Sequence, residues 1–314
     1  MKAITEREVI EKLSKLDLSG KPYMEVHSLI SELGQYIVFA TTFPPGQVIL
    51  RARCNYGNEV FCKVSDLSYK PLQNDNTFQR ASTPYKTMFY GGIMNNGERK
   101  HGENDSARII GLCEISPLMR DKSITSGVQR ITYGKWVTTE SITVASIIHH
   151  GRFAERNPMI ERMQREYEET IKKYPVEMAN KSKFICEYFA DEFAKEETPN
   201  DYDYIISAIY AERVSSYSVP GIQLSGVLYP SVRSEATGFN IALTKECLDR
   251  GALRLDYVAE CTIYREGSSL MVDNNKEANV IAGQNQFTLC TITDPQVHVG
   301  MERIYSILKE MNSK

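Results

Sequence analysis

The sequence lacks a cysteine framework, a long apolar run, an excess of charge of one sign and any abundance of histidine. Its seven cysteines (Cys54, Cys62, Cys113, Cys186, Cys247, Cys261 and Cys290) are scattered, odd in number and never spaced Cys-x-x-Cys. Disulfide scaffolds and structural zinc sites use clustered, even sets, so most of these thiols are expected to be small buried apolar groups. No stretch approaches the roughly 18–20 consecutive apolar residues of a membrane span. The opening residues, Met1 to Glu8, turn acidic at once and show no signal-peptide apolar segment; a cytoplasmic protein is expected. Lys plus Arg number 37 against 40 for Asp plus Glu, a formal net charge of -3. That balance excludes the basic excess of proteins that coat nucleic acid, while leaving room for a local anion pocket.

Common site motifs are missing too. There is no Gly-x-Gly-x-x-Gly dinucleotide turn, no P-loop, no Gly-x-Ser-x-Gly elbow and no His-Glu-x-x-His. The histidines are His27, His101, His149, His150 and His298. His149 and His150 are adjacent, so on a strand they would face opposite ways and could not chelate one ion together. No metal site is expected.

What remains is an ordinary globular composition: 314 residues, 42% hydrophobic and 25% charged. Residues 1–45 read as a helical extension, because Thr5 and Glu8 have capping-box spacing and Val9, Ile10, Leu13 and Leu16 share a face. Asp17 to Pro22 stops that helix. Strands are expected at Val48–Cys54, Met88–Gly91, Ala107–Ile115, Ile131–Trp136 and Ile142–Ile148, and again at Gly226–Tyr229, Asn240–Leu243 and Leu253–Tyr264. Arg51 and Arg53, two apart, would share a strand face. About residues 151–200 a charge-rich stretch reads as two helices broken near Pro175, followed by a helix over Asp201–Ser215. A last amphipathic helix is expected over 298–314. Residues 46–297 are therefore expected to form the main domain, interrupted by the helical insertion, and the class is α+β.

An ordered set of arginine, tyrosine, glutamate and serine residues sits in these segments. It runs Leu50-Arg51-Ala52-Arg53, Phe78-Gln79-Arg80-Ala81-Ser82, Met88-Phe89-Tyr90-Gly91, Leu112-Cys113-Glu114-Ile115 and Gly226-Val227-Leu228-Tyr229-Pro230-Ser231. In order and rough spacing the set resembles the RES-domain family, named for its Arg, Glu and Ser. The match covers about residues 47 to 245. Where the family usually has Gly-Arg-[aromatic]-Asn, this chain has Gln79-Arg80-Ala81-Ser82, and the interval from Tyr90 to Glu114 is long. The family consists of bacterial NAD-degrading proteins, often the toxin of a toxin–antitoxin pair whose partner carries a helix-turn-helix.

The resemblance implies an ADP-ribosyltransferase-like mixed β core with helical additions, and NAD as substrate rather than cofactor. It implies glycohydrolase or phosphorylase chemistry, growth arrest through NAD depletion, a separate antitoxin polypeptide and no nucleic-acid binding by this chain itself; a homo-oligomer is compatible with it. Cleaving the nicotinamide–ribose bond develops oxocarbenium-like charge on the ribose, which a carboxylate stabilises as in glycoside hydrolysis. Glu114 would be that carboxylate. Arg51 and Arg80 would bind the pyrophosphate, since guanidinium grips phosphate oxygens bidentately, and Arg53 competes with Arg51 for the first role. Tyr90 would stack on nicotinamide or bind a ribose, unless it is a core tyrosine. Ser231 would orient the amide or the glutamate, unless it serves the turn beside Pro230. Trp136 reads as core. The rival readings are a protein ADP-ribosyltransferase and a catalytically silent NAD-binding or interaction module, with the middle helices as its contact surface.

Overall fold

A computed structural model describes residues 4–93, 106–121, 123–154, 157–196, 198–219, 222–234, 238–293, 306 and 310. Helices α1 (Glu6–Lys15) and α2 (Tyr23–Glu32) open the chain and lead into β1 (Ala40–Phe43), β2 (Val48–Asn55) and β3 (Met88–Ile93). Helices α3 (Ser106–Ile115) and α4 (Pro117–Arg120) precede strands β4 (Ser126–Thr138) and β5 (Ile142–Ser146). Four helices follow: α5 (Gly151–Ala154), α6 (Pro158–Ile171), α7 (Val176–Phe193) and α8 (Ile205–Ser215). Then come β6 (Ser218–Val219), β7 (Ile222–Pro230), β8 (Phe239–Thr244), α9 (Lys245–Asp249), β9 (Leu253–Glu266), β10 (Ser269–Asn279) and β11 (Cys290–Thr291). The class is α+β. The helix expected near the C-terminus lies largely outside the described residues.

The chain divides into two compact units, each gathered from three segments. The first comprises Met1–Pro44, Tyr69–Tyr90 and Ser141–Ala252; the second comprises Pro45–Ser68, Gly91–Glu140 and Leu253–Lys314. In the first unit β1 pairs antiparallel with β5, β5 parallel with β7, and β7 antiparallel with β8. Helix α8 is apolar on nearly every side, and Ile205, Ile206, Ala208, Ile209, Tyr210 and Ala211 are all buried. A helix so uniformly apolar belongs inside a core. Around it pack residues of α1, α2, α7 and β7, including Phe189, whose ring stacks on Tyr210 at 3.8 Å between centroids. At the start of α1, Thr5 and Glu8 form the capping box that their spacing predicts. The charge-rich insertion is the helix pair α6 and α7, with its turn at Tyr174–Pro175.

In the second unit β2 pairs with β4, β4 with β9, β9 with β10 and β10 with β11, all antiparallel. One expectation is corrected here: Ala107–Ile115 is within helix α3, not a strand. A short apolar run cannot be assigned by periodicity alone. The helix is selected by packing, because Gly111 lets α3 sit directly on β2, where an added Cβ would lie 3.1 Å from that of Ala52. Cys54, Cys186, Cys247 and Cys261 are buried, Cys113 is half-buried, and Cys62 and Cys290 are exposed. Trp136 is buried as core. Among the described residues no helix is long and apolar enough to cross a membrane.

Gly226, first residue of the Gly-x-x-Tyr-Pro-Ser block, faces β8 so closely that a Cβ would stand 1.9 Å from the Ala242 carbonyl oxygen. The obstacle is backbone, which cannot swing aside. Gly226→Ala is expected to cost about 3 kcal/mol or more. Gly20→Ala, with nothing within 4 Å of the new carbon, is expected to stay within about 0.5 kcal/mol of the parent; urea unfolding of the two variants checks this.

Candidate functional site

Of the residues that the motif set singles out, Arg80, Tyr90 and Ser231 belong to the first unit, and Arg51, Arg53 and Glu114 to the second. In the first unit, the Tyr90 hydroxyl donates to Ser82 Oγ at 2.9 Å and accepts the Ala81 N–H at 3.2 Å. Two separate motif pieces, 78–82 and 88–91, thereby become one hydrogen-bonded patch. Arg80 beside it has a structural task. Its two terminal nitrogens donate to the carbonyls of Phe193 and Lys195, and its guanidinium lies 5.1 Å from the Tyr204 ring centre. This is the capping of a helix C-terminus by a cation, at the end of α7. Ser231 is fully buried just past β7, its N–H donating to the Gly238 carbonyl at 2.9 Å.

The same segment borders a cleft of about 520 Å³, walled by Ser82, Thr83, Lys86 and Met88 on one side and by Glu212 and Ser215 of α8 on another. Glu212 organises it. Its carboxylate accepts from Thr83 Oγ1 at 2.8 Å, from the Tyr23 hydroxyl at 3.1 and 3.2 Å, and from the Lys86 ammonium. Burial acts to raise the Glu212 pKa, but the hydrogen bonds from Lys86, Thr83 and Tyr23 outweigh it and hold the carboxyl below its usual range. At the cleft mouth Tyr85 has a left-handed backbone, φ 64°, fixed by its N–H donating to the Asp75 carbonyl at 2.6 Å. That conformation is uncommon for a non-glycine residue. It leaves the Tyr85 ring exposed beside hydroxyl-rich walls.

In the second unit, β2 and α3 meet through Ala52, and the Cys54 thiol faces the Ile115 carbonyl at 3.5 Å. Strand alternation then directs the Cα–Cβ bonds of Arg51 and Arg53 to the other face of the sheet. Arg53 is engaged there, donating to the Asp66 carbonyl with its guanidinium 4.9 Å from the Phe61 ring centre. Glu114 lies half-buried in the last turn of α3, not at a strand end. Its carbonyl accepts from Arg120 at 3.3 Å. The arginine pair shares a face, as its spacing predicts; α3, which carries Glu114, packs on the opposite one.

The polar interior of that arginine-bearing face corresponds to no motif in the sequence. Paired positions across β2, β4, β9 and β10 form two rows: Arg53, Thr132, Glu260 and Lys276, then Asn55, Arg130, Thr262 and Asp273. Glu260 is only 2% exposed, with Lys276 Nζ at 3.5 Å and Arg130 Nη1 at 3.9 Å. The available signal was a charge at a buried-parity position in the apolar run Val258 to Tyr264, since a buried glutamate needs cationic partners. Elsewhere, burial with the nearby Lys183 cation pushes His149 down to about 4, against the opposing pull of Glu168. Its imidazole is neutral at pH 7. Among the described residues no group of three or more His, Cys, Asp or Glu side chains is arranged to hold a metal ion.

Because the Glu212 pKa is lower folded than unfolded, its stabilisation is present above the unfolded carboxylate pKa and is lost as pH falls through the folded one. Glu212→Gln is expected to cost about 1–3 kcal/mol at pH 7. The gap between parent and variant should close as the pH is taken below the ordinary glutamate range; thermal melts over a pH series check it, and a gap constant with pH would sink the assignment. Set against models of protein families and against curated proteins, the chain matches none.

Proposed function

We propose that the chain is an NAD-consuming enzyme that cleaves the nicotinamide–ribose bond, with an ADP-ribosyltransferase-like core of the RES type. The observation that carries the reading is the patch in which Tyr90 binds Ser82 and the Ala81 N–H, which joins two pieces of the ordered motif set. In the reaction the C–N glycosidic bond breaks and its electron pair leaves with nicotinamide. The oxocarbenium-like ribose is captured by an oxygen of water or phosphate, and water gives up a proton to solvent. Glu114 would supply the negative charge that stabilises the ribose cation; the Arg51–Arg53 pair, which strand alternation directs to the sheet face opposite α3, is not placed to share that contact. As a toxin, such an enzyme would arrest growth by emptying the NAD pool until a separate antitoxin blocked it.

One observation favours the rival reading of a silent NAD-binding or interaction module. Both terminal nitrogens of Arg80 already serve the end of α7. A pyrophosphate would have to compete with two backbone carbonyls for that fork. A protein ADP-ribosyltransferase would use the same bond cleavage with a protein acceptor.

The test is to incubate the full chain with NAD in buffer, with inorganic phosphate and with cell lysate, following nicotinamide, ADP-ribose and its phosphorylated product. Parent protein should release nicotinamide, and Glu114→Ala should slow release about 10²–10³-fold. Arg80→Ala should slow it as well if the arginine leaves its cap during binding. No release under any condition ends the enzyme reading. Undiminished release by Glu114→Ala shows that another carboxylate carries the charge, and label on a protein band selects the transferase.

A further inference from the structure

The second unit contains a cavity of about 590 Å³ that neither Arg51 nor Glu114 lines. It opens where the loop after β2 (Tyr56 and Gly57) meets the first residues of β4 and the α4 side chain of Leu118. The volume falls within the usual range for small-molecule sites. Its wall has a distinct chemistry. Among the described residues lining it, Arg130 is the one charged side chain; the rest are neutral donors and acceptors such as Asn55 and Thr262, with Tyr56, Leu118 and Val128 as the apolar share.

Arg130 is held with part of its fork unspent. Nη2 donates to the carbonyls of Gly57 and Glu59. Nη1 stands 3.9 Å from Glu260 Oε2, an ion pair beyond hydrogen-bond length. A guanidinium carries five N–H donors, so those on Nε and Nη1 remain for a guest. Glu260, buried behind it and also facing Lys276 at 3.5 Å, fixes the cation in place without entering the cavity wall. Tyr56 and Val128 are 65% and 49% exposed, which puts uncovered apolar surface beside a guanidinium whose carboxylate partner, Glu260, lies behind it and not in the wall.

We propose that this cavity binds a small organic anion, with its acidic group on Arg130 and its ring against Tyr56, Leu118 and Val128. One cation suits a single carboxylate or phosphate and not a polyanion, whose binding needs a run of cations. A guanidinium suits such oxyanions because its planar fork can form two parallel charge-assisted hydrogen bonds to two of their oxygens. The apolar share of the wall supplies the rest of the affinity and excludes bare inorganic ions as the best-fitting guests. The site is independent of the NAD reading and uses none of its residues.

Phenyl phosphate is the probe, titrated into the full chain by calorimetry and by ligand-observed NMR, with benzyl alcohol as the neutral comparison. Phenyl phosphate should bind, and benzyl alcohol at least about tenfold more weakly. Arg130→Gln should weaken phenyl phosphate by at least about tenfold. That variant leaves Glu260 with one cation fewer, so the double variant Arg130→Gln/Glu260→Gln restores the charge balance and should show the same loss. Val128→Trp, at a half-exposed position, should fill the mouth and abolish binding while Arg130 stays in place. No binding of phenyl phosphate at millimolar concentration overturns the proposal. So does binding unchanged in the Arg130 variants or in Val128→Trp, or benzyl alcohol binding as tightly as phenyl phosphate.

Discussion

Glu212 is the point through which the first unit holds its motif-bearing segment. Residues 69–90 contain no regular helix longer than one turn, and only the start of β3 ties them to a strand. A carboxylate on α8 that takes Thr83, Lys86 and Tyr23 together ties them to the core, beside the Arg80 cap on α7 and the buried Phe78, Ala81 and Met88. The carboxylate stays put because its helix is the most deeply buried of the described helices of the unit, wrapped by α2, α7 and β7. Core packing therefore positions the polar network, and the network positions the Arg80–Tyr90 stretch. A loop placed in this way can carry function without being rigid in itself.

The second unit solves the opposite problem. Its sheet has one face filled by apolar contacts between β2, β4, β9 and the helices α3 and α4, with Leu112, Leu118, Ile131, Tyr133 and Ile263 buried together. The other face carries charge across four strands. Removing a carboxylate such as Glu260 from water is costly unless cations and polar neighbours compensate. Lys276 and Arg130 on the flanking strands do so. Nearby, the Thr132 hydroxyl donates to the Asn55 side-chain oxygen at 2.9 Å and Thr262 to that of Asn275 at 2.8 Å. Such a ladder fixes register as well as charge, because a one-residue slip of any strand would move its polar side chain to the apolar face.

The amphipathic and end signals were the legible part of the sequence. Thr5 and Glu8 marked a real cap, Pro175 a real break between helices, and the β-branched runs around Val48 and Ile131 real strands. Ala107–Ile115 was not legible, since its helical state depends on Gly111 meeting Ala52 of a strand more than fifty positions earlier. The two-unit arrangement was hidden for a related reason: each unit is assembled from three distant segments, so no change of composition marks a boundary. In the candidate site, the Arg51–Arg53 face followed from period-two alternation alone. The cap made by Arg80 and the Glu212 network did not, because both join residues more than a hundred positions apart.

The arginines carry the last step. Arg53, Arg80, Arg120, Arg130 and Arg265 each donate to a backbone carbonyl, at the end of a helix or in a loop. Guanidinium suits that work because it satisfies several carbonyls at once and keeps its charge when half-buried. An arginine in a motif is thus weak evidence for phosphate binding until its donors are counted. Arg80 has given both terminal nitrogens to α7, whereas Arg130, which lines a cavity, has given one to carbonyls and holds the other in a long ion pair with Glu260. A net charge of -3 reveals neither. What decides anion binding in this protein is which fork still has hydrogens to offer and which surface they face.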